Sequence, residues 1–127
     1  MEIGIKGRET LTVTPEITAE AIGSGELPVF GTPFMIALME KTCLRSVAPH
    51  LEPGQGTVGT ALDVKHVAAT PVGMEVVCES ELTVVDRRRL VFRVAAYDAA
   101  GLIGEGTHER FIIENRKFVD KANAKLG

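Results

Sequence analysis

The chain has 127 residues, 45% of them hydrophobic and 24% charged, with a formal net charge of −3. These values describe one globular domain, 1–127, large enough to bury a core, and the acidic balance argues against nucleic acid as the main partner. No apolar run approaches the length of a membrane span, and the opening Met1-Glu2-Ile3-Gly4-Ile5-Lys6-Gly7 lacks the basic-then-apolar pattern of a signal peptide.

Arg8 to Thr14 reads as a first strand, ended by Pro15. Ile17 to Leu27, rich in Gly and Glu, reads as a connecting or lid segment with Gly23-Ser24-Gly25 as its flexible point. Thr32 has the chemistry of a helix N-cap, with Pro33 at the first helical position. The helix is expected to run to about Val47 or His50, and Pro53-Gly54 stops it. It is apolar around most of its circumference between Phe34 and Met39, so it belongs inside the domain.

Strands follow. Thr57 to Val67 alternates, which places Val58, Thr60, Leu62, Val64 and His66 on one face and Asp63 and Lys65 on the other. Thr70-Pro71-Val72-Gly73 is a turn. Met74 to Val85 is the next strand, with Glu75, Glu79 and Glu81 marking its wet face. Asp86-Arg87-Arg88 turns into Leu90 to Tyr97, and Asp98-Ala99-Ala100-Gly101 turns into Leu102 to Ile113. Phe118 to Gly127 reads as a short polar tail. The class is α+β: an antiparallel sheet of about five strands curled around one long helix, since one helix cannot cover both faces of a flat sheet. Unpaired sheet edges point to a homodimer. Cys43 and Cys78 sit in apolar contexts without nearby Cys or His partners and read as reduced core residues of a cytosolic protein, with no disulfide or metal site.

Glu40 is a carboxylate where the helix pattern calls for an apolar side chain, on one face with Ile36, Cys43, Leu44 and Val47. It either escapes to solvent or pairs with Arg45, or it is buried and serves as a base. His66 is a satisfied core histidine or, with Glu40 on the helix the sheet packs against, half of a proton-transfer pair. Thr32 is either only a cap or a hydroxyl beside the N–H groups of a helix start, which suit an oxyanion. Gly59 interrupts a β-favourable stretch and marks a bulge or a close approach of ligand. His50, at the helix C-terminus, and His108, facing a dimer contact or solvent, have plainer readings. Arg87, Arg88, Arg89 and Arg93 are first a solvated hairpin turn; the functional alternative is contact with the phosphates of a nucleotide-bearing substrate.

With these residues in view the chain resembles the hotdog-fold thioesterases, specifically the fluoroacetyl-CoA thioesterase-like group. The likeness runs from about residue 10 to residue 115. It rests on Thr32-Pro33, Leu38-Met39-Glu40, Thr57-Val58-Gly59-Thr60, His66 to Gly73, Asp86 to Leu90, and Gly106-Thr107-His108-Glu109-Arg110-Phe111. The resemblance implies a hotdog fold and a catalytic set of Thr32, Glu40 and His66, with Gly59 as the substrate-contacting strand glycine. It implies an acyl-CoA substrate of small or medium acyl size, with coenzyme A entering only as part of the substrate and no metal or other cofactor. Members selective for the fluorinated substrate carry aromatic residues before the helix, whereas Ile17 to Val29 contains none; a more general acyl-CoA hydrolase is therefore implied. The alternative from another class is a non-catalytic acyl-CoA or small-ligand binding protein, and a hotdog hydratase is a third, without its paired Asp and His here.

Overall fold

The computed structural model describes residues 1–127. Five strands make one antiparallel sheet: β1 (Lys6–Thr12), β2 (Gln55–His66), β3 (Glu75–Asp86), β4 (Arg89–Asp98) and β5 (Gly101–Glu114), in the order β1-β3-β4-β5-β2. The four strands after the helix lie within a residue or two of their expected bounds. Strand β1 starts and ends two residues earlier than read. A short helix α1 (Ala19–Ile22) and the long helix α2 (Thr32–Val47) fill the interval between β1 and β2.

Strand β3 shows why the sheet is one-sided. Val76, Cys78, Ser80 and Leu82 are buried, and they alternate with Glu75, Val77, Glu79 and Glu81. The buried set meets α2, which packs chiefly on β1 and β3 and supplies Met35, Leu38, Met39, Cys43 and Val47. Phe92, Val94 and Ala96 of β4 complete the floor. Each fully buried side chain of the size of Phe92 or Met39 contributes about 1.5–3 kcal/mol. Cys43 and Cys78 are free and buried, as read; burial, then the neighbouring Cys78, pushes the Cys43 thiol up to about 12.

The start of α2 differs from its sequence reading. The N-cap is Gly31, so Thr32 is the first helical residue and Pro33 the second. The Thr32 hydroxyl makes no capping bond and is free for another partner. Gly31 is buried, and a Cβ there would press on Phe34 Cδ2 at 3.1 Å and on the backbone of Thr18 and Ala19 at 3.2 Å.

Two strand irregularities shape the face toward α2. In β2, Gly59 pairs with Arg110 but Ala61 pairs with Glu109, so Thr60 is an extra residue in a bulge. Strict alternation therefore fails. Thr57 and Gly59 face the helix before the bulge, and Leu62, Val64 and His66 face it afterwards, while Val58 turns outward beside Phe111. In β5, Gly104 and Gly106 stand opposite His66 and Val64. A Cβ on Gly104 would meet Met35 Sδ at 2.5 Å, and one on Gly106 would overlap the Asp63 carbonyl oxygen.

The terminal segment is helical at its start: α3 (Asn115–Asn123) leaves β5 with no buried residue. No helix is long and apolar enough to cross a membrane.

Gly106→Ala tests the tight crossing of β5 and β2. The added methyl meets backbone that cannot swing aside, and overpacking of this kind costs about 1–3 kcal/mol. The expected result is a thermal midpoint lowered by several degrees with the secondary structure retained; an unchanged midpoint would contradict the packing described.

Candidate active site

Two polar clusters lie along the helix-facing side of β2. At the start of α2, the Thr32 hydroxyl and His66 Nδ1 are 2.7 Å apart. Phe30, fully buried, presents its ring to the imidazole edge-on, with centroids 6.5 Å apart and planes at 78°. Burial holds the His66 imidazole below its ordinary pKa, with the Ala68 backbone opposing. Its Nε2 is buried and has no partner. A cleft of about 300 Å³ opens here, lined by Ala19, Ser24, Val29, Phe30, Thr32 and His66 among others. Ala19 and Ser24 come from the segment read as a lid.

Two turns along α2, Glu40 faces the second cluster. Its Oε2 lies 3.7 Å from Arg110 Nη1. A Cβ on Gly59 would sit 2.8 Å from the same oxygen, so a larger residue there would displace the carboxylate from this position. Arg110 is held from three sides: Nε donates to Thr57 Oγ1 and Nη2 to the Thr57 carbonyl, each at 2.8 Å, and Nη1 lies 3.1 Å from His108 Nε2. His108 Nδ1 is 2.9 Å from the Ala61 carbonyl, just past the bulge. A carbonyl only accepts, so Nδ1 carries the proton and Nε2 is left to accept from Arg110. The imidazole is neutral in this arrangement. Burial, then the Arg110 charge, drive its pKa down against the Ala61 contact and the charges of Glu40 and Glu109.

Three sequence expectations change. Glu40 is not buried in the single chain: its side chain is 41% exposed, whereas that of Arg110 is 6%. It pairs with Arg110; Arg45 pairs with Glu9 at 3.0 Å instead. His108 faces neither solvent nor a subunit contact but is fully buried in the site. Arg110 was not singled out at all. The available signal was spacing: Gly104, Gly106, His108 and Arg110 recur every second residue and so share the helix-facing side of β5.

The chain brings Thr32 to His66 and Glu40 to Gly59, but it does not gather all four. Eight helical residues separate Thr32 from Glu40, a rise of about 12 Å. No group of three or more His, Cys, Asp or Glu is arranged to hold a metal ion.

Both histidines resist protonation in the fold, so the sign of the acid response is fixed. Above about pH 6.5, the ordinary imidazole value, they are neutral folded and unfolded, and stability is full. Below it the unfolded chain binds protons first, and stability falls until pH passes the lowered folded values. Denaturant unfolding between pH 7.5 and 5 should show this loss, and His108→Gln should flatten part of the slope. A stability rising toward pH 5 would contradict the neutral network.

Residues 13–116 match the family described as fluoroacetyl-CoA-specific thioesterase. The fluoroacetyl-CoA thioesterase of Streptantibioticus cattleyicolor is 44% identical over 131 residues, covering 98% of this chain and 94% of that protein. A crystal structure of a fluoroacetyl-CoA thioesterase matches with a TM-score of 0.92, 44% identity and coverage of 98% and 97% of the two chains. A Thr-to-Ser variant in complex with acetyl-CoA matches with a TM-score of 0.95 and 41% identity over the whole of both chains. A thioesterase superfamily member from Thermus thermophilus is 30% identical, with a TM-score of 0.88, over 98% of this chain and 92% of its own.

Proposed function

The chain belongs to the fluoroacetyl-CoA-specific thioesterase family and is a hotdog-fold acyl-CoA thioester hydrolase; on that premise we propose that Thr32, Glu40 and His66 carry the chemistry in sites formed between two copies of the chain. The observation that carries this reading is the division of the polar groups into two clusters at successive positions on one outermost strand. Strand β2 bonds only to β5, and Gly59 to Asp63 are exposed. An exposed strand edge of this kind invites pairing. If two β2 strands pair antiparallel about a two-fold axis, the Gly59 stretch of one lies beside the His66 end of the other. Glu40, Arg110 and Gly59 would then face Thr32 and His66 of the partner subunit across a shared cleft.

In such a site the thioester carbonyl enters with its oxygen toward backbone N–H donors, that of Gly59 among them. Glu40, steadied by Arg110, removes a proton from water as it attacks, or attacks the carbonyl itself to form a transient anhydride that water opens. The C–S bond breaks and coenzyme A leaves as a thiolate. With Thr32 donating to Nδ1, the imidazole proton of His66 sits on Nε2, where it can hydrogen-bond the departing sulfur. A thiol ionises near pH 8.5, so such a bond suffices as the sulfur leaves, and the thiol's proton comes from the attacking water, through Glu40 on the first route and when the anhydride is opened on the second. The acyl group is small or medium and not restricted to fluoroacetyl: Ile17 to Val29 holds no aromatic residue, and Phe30 is the one phenyl ring lining the cleft. Free Cys43 and Cys78 support a cytoplasmic setting.

Glu40→Gln and His66→Ala should each lower kcat by about a hundredfold or more, the scale of general acid–base groups, in thiol release from a panel of short, branched, aryl and long acyl-CoA esters. Unchanged turnover in both removes the assignment. Saturable acyl-CoA binding without thiol release would make the protein a binding module instead.

The shared site has its own test. Mixing the two inactive variants and allowing exchange should restore about a quarter of wild-type activity, since half the dimers are mixed and one of their two sites is intact. No recovery, with exchange verified, would place the whole set within one chain.

A further inference from the structure

We propose that Arg87 and Arg88, at the β3–β4 turn, form the subsite for the phosphate groups of the coenzyme A portion of the substrate. The inference rests on the acyl-CoA hydrolase reading and extends it to the far end of the substrate. Four other arginines have carboxylate partners: Arg45 with Glu9, Arg89 with Glu109, Arg93 with Glu81 and Arg110 with Glu40. Arg87 and Arg88 have none, and both are exposed. With Arg89, Asp86 and Phe111 they line a cleft of about 530 Å³, in which Asp86 pairs with neither. A chain of net charge −3 repels a polyanionic substrate at long range, so a local cationic site is needed where the phosphates settle. Guanidinium groups suit them, because their planar donors match phosphate oxygens.

The backbone gives a second, independent sign. Arg87 has φ 59°, the one non-glycine residue of the chain at positive φ. Glycine is the usual solution at that place in a two-residue hairpin turn. An arginine kept in this conformation is the kind of local strain that gathers at functional positions.

The turn is also attached to the catalytic cluster. Arg89 pairs with Phe111 and Phe111 with Val58, one residue beyond Arg110 and one before Gly59. The Arg88 carbonyl accepts from Ile112 N at 2.9 Å. Leu90 is the register partner of Arg110, so Arg88 stands two strand residues away, roughly 7 Å along the sheet. Phe111 and the cleft lie on the outer face and Arg110 on the helix-facing one, so the pantetheine arm, longer than this interval, rounds the sheet to join them. Phe111, 40% exposed, gives the cleft an aromatic wall on which an adenine can stack.

The test compares an acyl-CoA ester with the N-acetylcysteamine thioester of the same acyl group, which lacks every phosphate. In Arg87→Glu/Arg88→Glu, the ratio of kcat/KM for the CoA ester to that for the truncated ester should fall about tenfold or more, mostly through KM. Arg8→Glu, the reversal of an unpaired arginine on β1, should not move the ratio. Dephospho-CoA esters separate the sources: the variant's loss disappears with them if the 3′-phosphate is the group held, and persists if the pyrophosphate is. Arg87→Gly serves as a second variant, expected to raise the thermal midpoint while raising KM for the CoA ester. An unchanged ratio, or an equal change in Arg8→Glu, overturns the proposal. Failure of the wild-type protein to release thiol from either ester would instead overturn the hydrolase reading beneath it.

Discussion

One extra residue in β2 sets the geometry of the whole helix-facing side. Were Thr60 an ordinary strand residue rather than a bulge, residues 59 and 66 would point to opposite faces of the strand, because side chains alternate. The bulge returns the later half of β2 to the phase of the earlier half, so Gly59 faces Glu40 while His66 faces Thr32. His108 holds the Ala61 carbonyl beside this irregularity and gives its other nitrogen to Arg110. The bulge, the buried imidazole and the guanidinium are thus one hydrogen-bonded unit. Removing any member would leave the others desolvated and short of a partner.

The inner surface of β5 is unusual for a core strand. It presents Gly104, Gly106, His108 and Arg110 toward the helix, while Phe111 lies outward. The two glycines admit Met35 and the β2 backbone, and the two polar residues reach the site. Apolar cohesion is therefore displaced to β3, β4 and the length of α2, where the buried cluster is continuous. The domain is firm at the β1–β3–β4 side and chemically equipped at the β5–β2 side.

This division explains what the sequence disclosed and what it hid. The element order, the long helix and the strand bounds were legible because β3 and β4 alternate cleanly and α2 carries a broad apolar face. Thr32, Glu40, His66 and Gly59 stood out as polar or small residues in apolar or β-favourable runs. His108 and Arg110 did not, because a strand whose inner face is Gly-Gly-His-Arg inverts the hydrophobic-inside rule and reads as solvent-facing. The phase of β2 was misread at Val58 and Thr60 for a related reason: a bulge leaves no mark in residue type beyond the neighbouring glycine. The exposure of Glu40 follows from its place toward the open edge of the sheet at β2, which the residue pattern of the helix does not encode.

The Thr32 hydroxyl, bonded to His66 and not to the helix it begins, has a consequence for how this protein fails. Helix initiation is left to the backbone of Gly31 and to Pro33, and the Thr32 side chain contributes nothing to it. If Thr32 acts as proposed, a cell that loses the hydroxyl by mutation would accumulate a long-lived but inactive protein whose helix start is intact. Quality-control proteases, which sense unfolding, would have no reason to clear it.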